Sequence, residues 1–259
     1  MSGADDVVDR VHAGAAAALA LRCSAVEGGE IERIDGLLLG LTNLPDPAQN
    51  SVWVERRPSD AARALAEAEH AFRARGMPWF GIELHSGRDP EVDRAVRETG
   101  LARLLTRPTM AAVVADVPMA VPPAGVTIER VSDVVGLVAI RGVEVAAFGT
   151  APEVAEGLAG RAVLGRDDVA LFVAWDEHGD PAGESVAYLS AGTVGVFGVG
   201  VAEPARGRGI GAAMTSRAVH AFGDAVDLAW LQPSELAIAL YARLGFETVC
   251  VWEVWIRGA

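Results

Sequence analysis

Residues 201–214 read VAEPARGRGIGAAM. An apolar, strand-like run ends there, three glycines and two arginines form a turn, and a helix with apolar residues at helical spacing begins. A strand-to-helix turn of that composition suits an anion, because the first amides of a helix have no intrahelical partner and the macrodipole puts partial positive charge at the same point. A Walker phosphate loop is excluded, since it requires Gly-Lys-Ser/Thr and the chain contains no lysine. A dinucleotide fingerprint fails too: neither GVGVAE at 198 nor GRGIGA at 207 supplies the third glycine. What remains is Arg206-x-x-Gly209-x-Gly211. There a pyrophosphate could meet backbone N–H groups at Gly209 and Gly211, with Arg206 or Arg208 adding charge.

Working outward, ALFVAW (170–175) and SVAYL (185–189) read as strands joined by the Asp/Gly/Pro-rich DEHGDPAG. The next strand, VGVFGVGV (194–201), changes its apolar phase between Val196 and Phe197. Either a bulge inserts one residue, or the strand is buried on both faces and has no phase to keep. Ile210, Met214, Ala218 and Phe222 recur at helical spacing before Gly223. LAWLQPS (228–234) then reads as a strand ending in an N-cap, Ser234. ELAIALYARL follows as a helix closed by Gly245, and FETVCVW (246–252) as a last strand. This order predicts an α/β (α+β mixed sheet) fold with helices packed on the sheet.

Arg-Gly-Arg-Gly-Ile-Gly after a Val-x-Val strand end resembles the acyl-CoA loop of the GNAT acetyltransferase superfamily. LQPSELAIALYARLGF (231–246) resembles that family's following strand and helix, with Tyr241 four residues before Gly245-Phe246, and Phe148-Gly149 matches its early part. The resemblance runs from about Val126 to the end. It implies acetyl-CoA as cosubstrate, with Val199, Gly200, Val201, Arg206, Gly207, Arg208, Gly209, Ile210, Gly211 and Ser234 as its binding residues. It further implies a backbone N–H of Val199 or Val201 as oxyanion donor and Tyr241 as the acid that protonates the departing thiolate. The implied activity is acetylation of a primary amine, small-molecule or peptide; a catalytically silent acyl-CoA binding or sensing module is the alternative. Residues 194–201 depart from the family in holding no acid. Glu184 and Glu203 read as solvated surface carboxylates, a water-relayed deprotonation is equally compatible, and no base is assigned.

The first half echoes the second. MPWFGIEL (77–84) and EVDRAVRETGL (91–101) repeat the strand, helix and Gly-apolar order, with Val96 where the second half has Tyr241, while SVWVERRPSDAARALAEAEHAF (51–72) passes from strand to helix without a glycine loop. With a Pro/Gly-rich linker at DVPMAVPPAGV (116–126), the expected plan is a tandem: 1–120 a degenerate GNAT-like domain and 121–259 the acetyl-CoA-binding one. A formal charge of −13, shared by both halves, argues against nucleic-acid and anionic-membrane partners and suits a cationic one. Cys23 and Cys250 have neither disulfide-framework nor metal-ligand spacing, so no metal is expected. The Ala-rich run 13–21 follows Asp5, Asp6 and Asp9 and reads as a helix and not a signal. The chain is therefore expected to be cytoplasmic, with a homodimer left open.

Overall fold

The computed structural model describes residues 3–77 and 79–256. Two compact units result, Met1–Thr109 with Thr248–Ala259, and Met110–Glu247.

The first unit opens with helix α1 (Gly3–Ala25), which contains the expected small-residue run and carries Asp5 and Asp6 in its first turn, where they complement the dipole. Strands β1 (Glu30–Ile34) and β2 (Leu37–Leu41) form a hairpin. Its two-residue turn, Asp35-Gly36, has φ of 41° and 88°, the positive values a tight hairpin of this length requires. Then come β3 (Ser51–Val54), α2 (Ala61–Ala74), β4 (Gly81–His85), α3 (Pro90–Glu98) and β5 (Ala102–Val113). The strand expected over 77–84 starts later, at Gly81, and Pro78 lies outside the described residues.

The second unit contains β6 (Thr127–Arg130), α4 (Val134–Phe148), α5 (Pro152–Leu158), β7 (Val169–Trp175), β8 (Pro181–Ser190), β9 (Thr193–Val201), α6 (Ile210–Val219), β10 (Leu228–Leu231) and α7 (Ile238–Arg243), and the chain ends in β11 (Glu247–Ile256). The sheet order is β1-β2-β3-β4-β11-β5 in the first unit and β5-β10-β9-β8-β7-β6 in the second. Each unit thus has a parallel pair, β3 with β4 and β9 with β10, spanned by a crossover helix.

The expected division at 120/121 differs from the observed one, and strand pairing is the reason. β11 follows α7 in sequence but pairs antiparallel with β4, Trp252 opposite His85. The last four residues of β5 pair antiparallel with β10, Met110 opposite Leu231. Each parallel pair is therefore flanked by a strand from the other half of the sequence. The Pro/Gly-rich segment is still a connection, with no helix or strand between Asp116 and Thr127. Several boundaries also differ from expectation. β8 begins four residues before Ser185, α6 stops before Phe222, and the helix expected from Glu235 is a 3-10 turn (Glu235–Ala237) leading into α7.

One face of the first unit carries a stack of buried rings: Trp53 and Trp252 with centroids 4.0 Å apart, and His12 and His85 at 5.4 and 4.8 Å from Trp252. Desolvation lowers both imidazoles to about 4, reinforced by Arg88 and, at His85, by His12. The unfolded chain takes up these protons first as pH falls. Stability contributed here is therefore complete above about 6.5 and is lost progressively toward about 4. Against His85→Phe as reference, the wild type should lose several degrees of Tm between pH 6.5 and 4.5. A pH-independent difference in Tm contradicts this.

Candidate functional site

The strand-to-helix turn has the expected geometry. After β9 a 3-10 turn (Glu203–Ala205) leads to Gly207, φ 77°, and to Gly209, φ 92°, which is the N-cap of α6. Such values disfavour any residue with a Cβ. No side chain caps the helix. A Cβ placed at Gly209 would have nothing within 4 Å, and one at Gly211 would make only ordinary contact, 3.4 Å from Leu240 Cδ2. Packing does not demand glycine at 211, so its presence leaves the first-turn amides open to something from outside. Arg206 does less for an anion than expected: its Nε donates to Val201 O at 3.1 Å and its Nη2 to Ala147 O at 3.2 Å, tying the ends of β9 and α4 together. Arg208 is exposed beside it.

The corresponding junction of the first unit is already filled. At the start of α2 the Asp60 carboxylate caps the helix by accepting from Arg63 N at 3.0 Å, and Asp35 accepts from the amides of Ser59 and Asp60. Two carboxylates therefore occupy the place where an anion would have to sit.

β9 contains a bulge, two residues later than the sequence phase suggests. Phe197 stays in regular register opposite Val186, Gly200 is opposite Glu184, and between them Gly198 and Val199 face Ser185 alone. Gly198 takes φ 54° to make it. Phe197 misled the periodicity because its ring packs edge-on against Tyr188 and Trp230, whereas Val194, Val196, Val199 and Val201 join the cluster with Ile210 and Met214. The parallel ladder with β10 ends at Val196 opposite Leu231, while β9 runs on to Val201. Ala202 N–H is bonded to Ala182 on β8, so by ladder alternation the N–H of Val201, and of Val199 two residues earlier, turns toward the side where β10 has ended.

Tyr241 is 6 % exposed within the same cluster, its ring edge-on to Phe246. Burial pushes the phenol up to about 12, partly offset by a hydrogen bond with Thr215. Thr215 in turn donates to Gly211 O at 2.8 Å, which links the phenol to the glycine turn. Ser234 is exposed, precedes the 3-10 turn and makes no side-chain cap bond. Val96, at the equivalent place in the first half, is fully buried.

Glu203 is exposed as expected, but Glu184 corrects the sequence reading: it is 1 % exposed. The sequence places Glu184 only at the start of its strand; with β8 starting at Pro181 it lies inside the sheet. Burial, then the charge of Glu144 and a hydrogen bond with it, raise its carboxyl to about 10. Its Oε1 has no hydrogen-bond partner. Because the folded state holds the proton and the unfolded state releases it above about 4.5, this residue's contribution is lost as pH rises from there toward about 10. Glu184→Gln should therefore be more stable than wild type at pH 8, with a Tm advantage that shrinks toward pH 4.5. An advantage that does not change with pH would show that the residue ionises normally.

Residues 167–248 match the acetyltransferase (GNAT) domain family. No curated protein sequence matches the chain. Among solved structures it is similar to a GCN5-related N-acetyltransferase from Kribbella flavida, at 23 % identity and TM-score 0.76, over 95 % of this chain and 96 % of that one. It is also similar to a tandem GNAT protein from the clavulanic acid biosynthesis pathway, at 20 % and 0.63, over 85 % and 78 %. A GCN5-related N-acetyltransferase from Sphaerobacter thermophilus gives 18 % and 0.62, over 96 % and 93 %. These likenesses establish the mixed α/β fold. No helix among the described residues is long and apolar enough to cross a membrane.

Proposed function

We propose that the second unit binds acetyl-CoA at the turn before α6 and transfers its acetyl group to a primary amine, and that the first unit is a degenerate GNAT-like partner in tandem. The observation that carries this is the contrast between two equivalent helix starts: α6 uncapped behind Gly209 and Gly211, α2 sealed by Asp60 and Asp35. Acetyl-CoA supplies the acyl group already activated as a thioester. The amides of Gly209, Ile210 and Gly211 receive the pyrophosphate, with Arg208 beside them and Gly207 shaping the turn. Gly200 and its neighbours in β9 line the way in. The N–H of Val199 or Val201, free of β10, steadies the oxyanion that develops on the acyl carbonyl. Tyr241, a neutral donor throughout the physiological range, hydrogen-bonds the sulfur as charge builds there. Glu184 is no ready base, since it already holds its proton at neutral pH. The amine's proton leaves through water.

That same neutrality of Glu184 favours a second reading, a silent acyl-CoA sensor, which differs in showing no turnover. Calorimetric titration is the test of the binding assignment. The protein should saturate at one acetyl-CoA per chain, because Asp60 and Asp35 exclude a pyrophosphate from α2. Saturation at two would show that the first unit keeps a site; no uptake would remove the assignment.

A further inference from the structure

We propose that the outward face of α4 is a self-association surface, which pairs antiparallel with α4 of a second copy of this chain about a two-fold axis near Gly142.

α4 lays its inner face on β8 and β9, where Leu137, Ile140 and Val143 are buried. A helix so placed ordinarily turns charged and polar residues to water. This one does not. Of its 15 residues only Arg141 and Glu144 are charged, and both are committed within the chain. Arg141 donates to Ala159 O at 3.1 and 2.8 Å and pairs with Glu156, while Glu144 accepts from Thr150 Oγ1 at 2.7 Å. What faces outward is Val135, Val138, Gly142 and Val145, flanked by Ala146 and Phe148; Val135 is 68 % and Phe148 53 % exposed. Every large hydrophobic left exposed on an α-helix of the described residues lies here.

Spacing and one glycine identify the occupant. Steps of three, four and three residues from Val135 to Val145 make the narrow stripe by which one helix packs along another. Gly142 lies in that stripe. Its φ is not positive, and a Cβ there would have nothing within 4 Å. The chain's own fold thus gives no reason for glycine, which weakens a helix interior relative to alanine. A partner helix crossing here does, because a missing side chain lets the two axes approach closely. The stripe is also self-complementary. With the two glycines facing, Val138 meets the partner's Val145 and Ala146, so one patch serves both copies, as a two-fold contact requires.

Charge and area narrow the choice. A formal charge of −13 repels both another copy and an anionic lipid surface, and two copies can meet only where charge is missing. At 15 residues α4 is too short to span a bilayer, and with Arg141 turned to Ala159 it lacks the basic rim of an interfacial helix. The stripe and its flanks form a patch on the order of 400 Å², a size that is often functional on monomers and about half of what each partner of a standard complex buries. The dimer is therefore weak and reversible, with a dissociation constant on the order of 10–100 μM.

Sedimentation equilibrium on the full chain, from about 1 μM to about 1 mM, makes the measurement without any need for acetyl-CoA. It should show a monomer–dimer equilibrium that added salt shifts toward dimer, because screening weakens the repulsion between two chains of like charge. Val138→Glu, at an exposed position, should leave the far-UV circular dichroism unchanged and weaken dimerisation at least about tenfold. Adding Val145→Arg to Val138→Glu in the same chain should restore it, since each glutamate then faces the partner's arginine, whereas two turns separate the pair within one helix. Gly142→Ala should raise the Tm of the dilute monomer and weaken the dimer. A chain that stays monomeric throughout, a dimer that salt dissolves or that Val138→Glu leaves intact, or a double variant no better than Val138→Glu overturns the proposal. So does a monomer that floats with phosphatidylcholine vesicles and is released from them by Val138→Glu, which gives the face to lipid.

Discussion

Gly209→Glu is expected to abolish acetyl-CoA binding, with affinity falling more than about 100-fold. Three effects act together at this position. Gly209 has φ 92°, where a residue with a Cβ is strained by about 1–2 kcal/mol. The new side chain has nothing within 4 Å to clash with, so the protein can fold around it, but it projects into the open space before the helix amides. Its carboxylate then competes for the same N–H groups and repels the pyrophosphate. Gly209→Ala isolates the first effect and should cost stability with a much smaller loss of affinity. Calorimetry on the folded Gly209→Glu protein makes the measurement, and unchanged affinity there removes the turn as the binding site.

Tyr241→Phe should lower kcat about 100-fold or more while leaving acetyl-CoA affinity little changed. The ring is buried among Phe246 and the α6 cluster, so phenylalanine keeps the packing and deletes only the hydroxyl. A phenol held near 12 will not surrender its proton fully to a thiolate of reference value about 8.5; its hydrogen bond therefore counts most as charge accumulates on sulfur, which is a transition-state effect and appears in kcat. The lost hydroxyl also frees Thr215, whose own bond to Gly211 O persists and should preserve the glycine turn. Steady-state kinetics with any accepted amine makes the comparison. A kcat within a few-fold of wild type would make Tyr241 a packing residue.

The turn, the order of strands and helices, and the place of Tyr241 were legible in the sequence because each depends on local chemistry: glycines at positive φ, apolar periodicity, and a fixed offset to Gly245. Strand exchange was not, because pairing of β11 with β4 and of β5 with β10 is a long-range choice that no periodicity encodes. Phe197 misplaced the bulge because a large apolar residue can serve either face of a covered sheet, and here it serves the aromatic one. Glu184 was missed for a related reason. A carboxylate signals surface in any sequence reading, and only the extension of β8 back to Pro181 and the cover of α4 make it a buried neutral acid. The capping of α2 by Asp60 was legible in principle, since an aspartate directly before an alanine-rich helix is an N-cap pattern.

The central claim is that this chain turns over acetyl-CoA and does not merely hold it. The most direct measurement incubates the purified protein with acetyl-CoA and a panel of primary amines and follows release of the CoA thiol, with the amine products weighed by mass spectrometry. The account predicts amine-dependent thiol release in step with one acetyl group added per amine consumed, both lost in Gly209→Glu. Binding of acetyl-CoA with no thiol released above background across the panel would contradict it and leave an acyl-CoA sensor in its place.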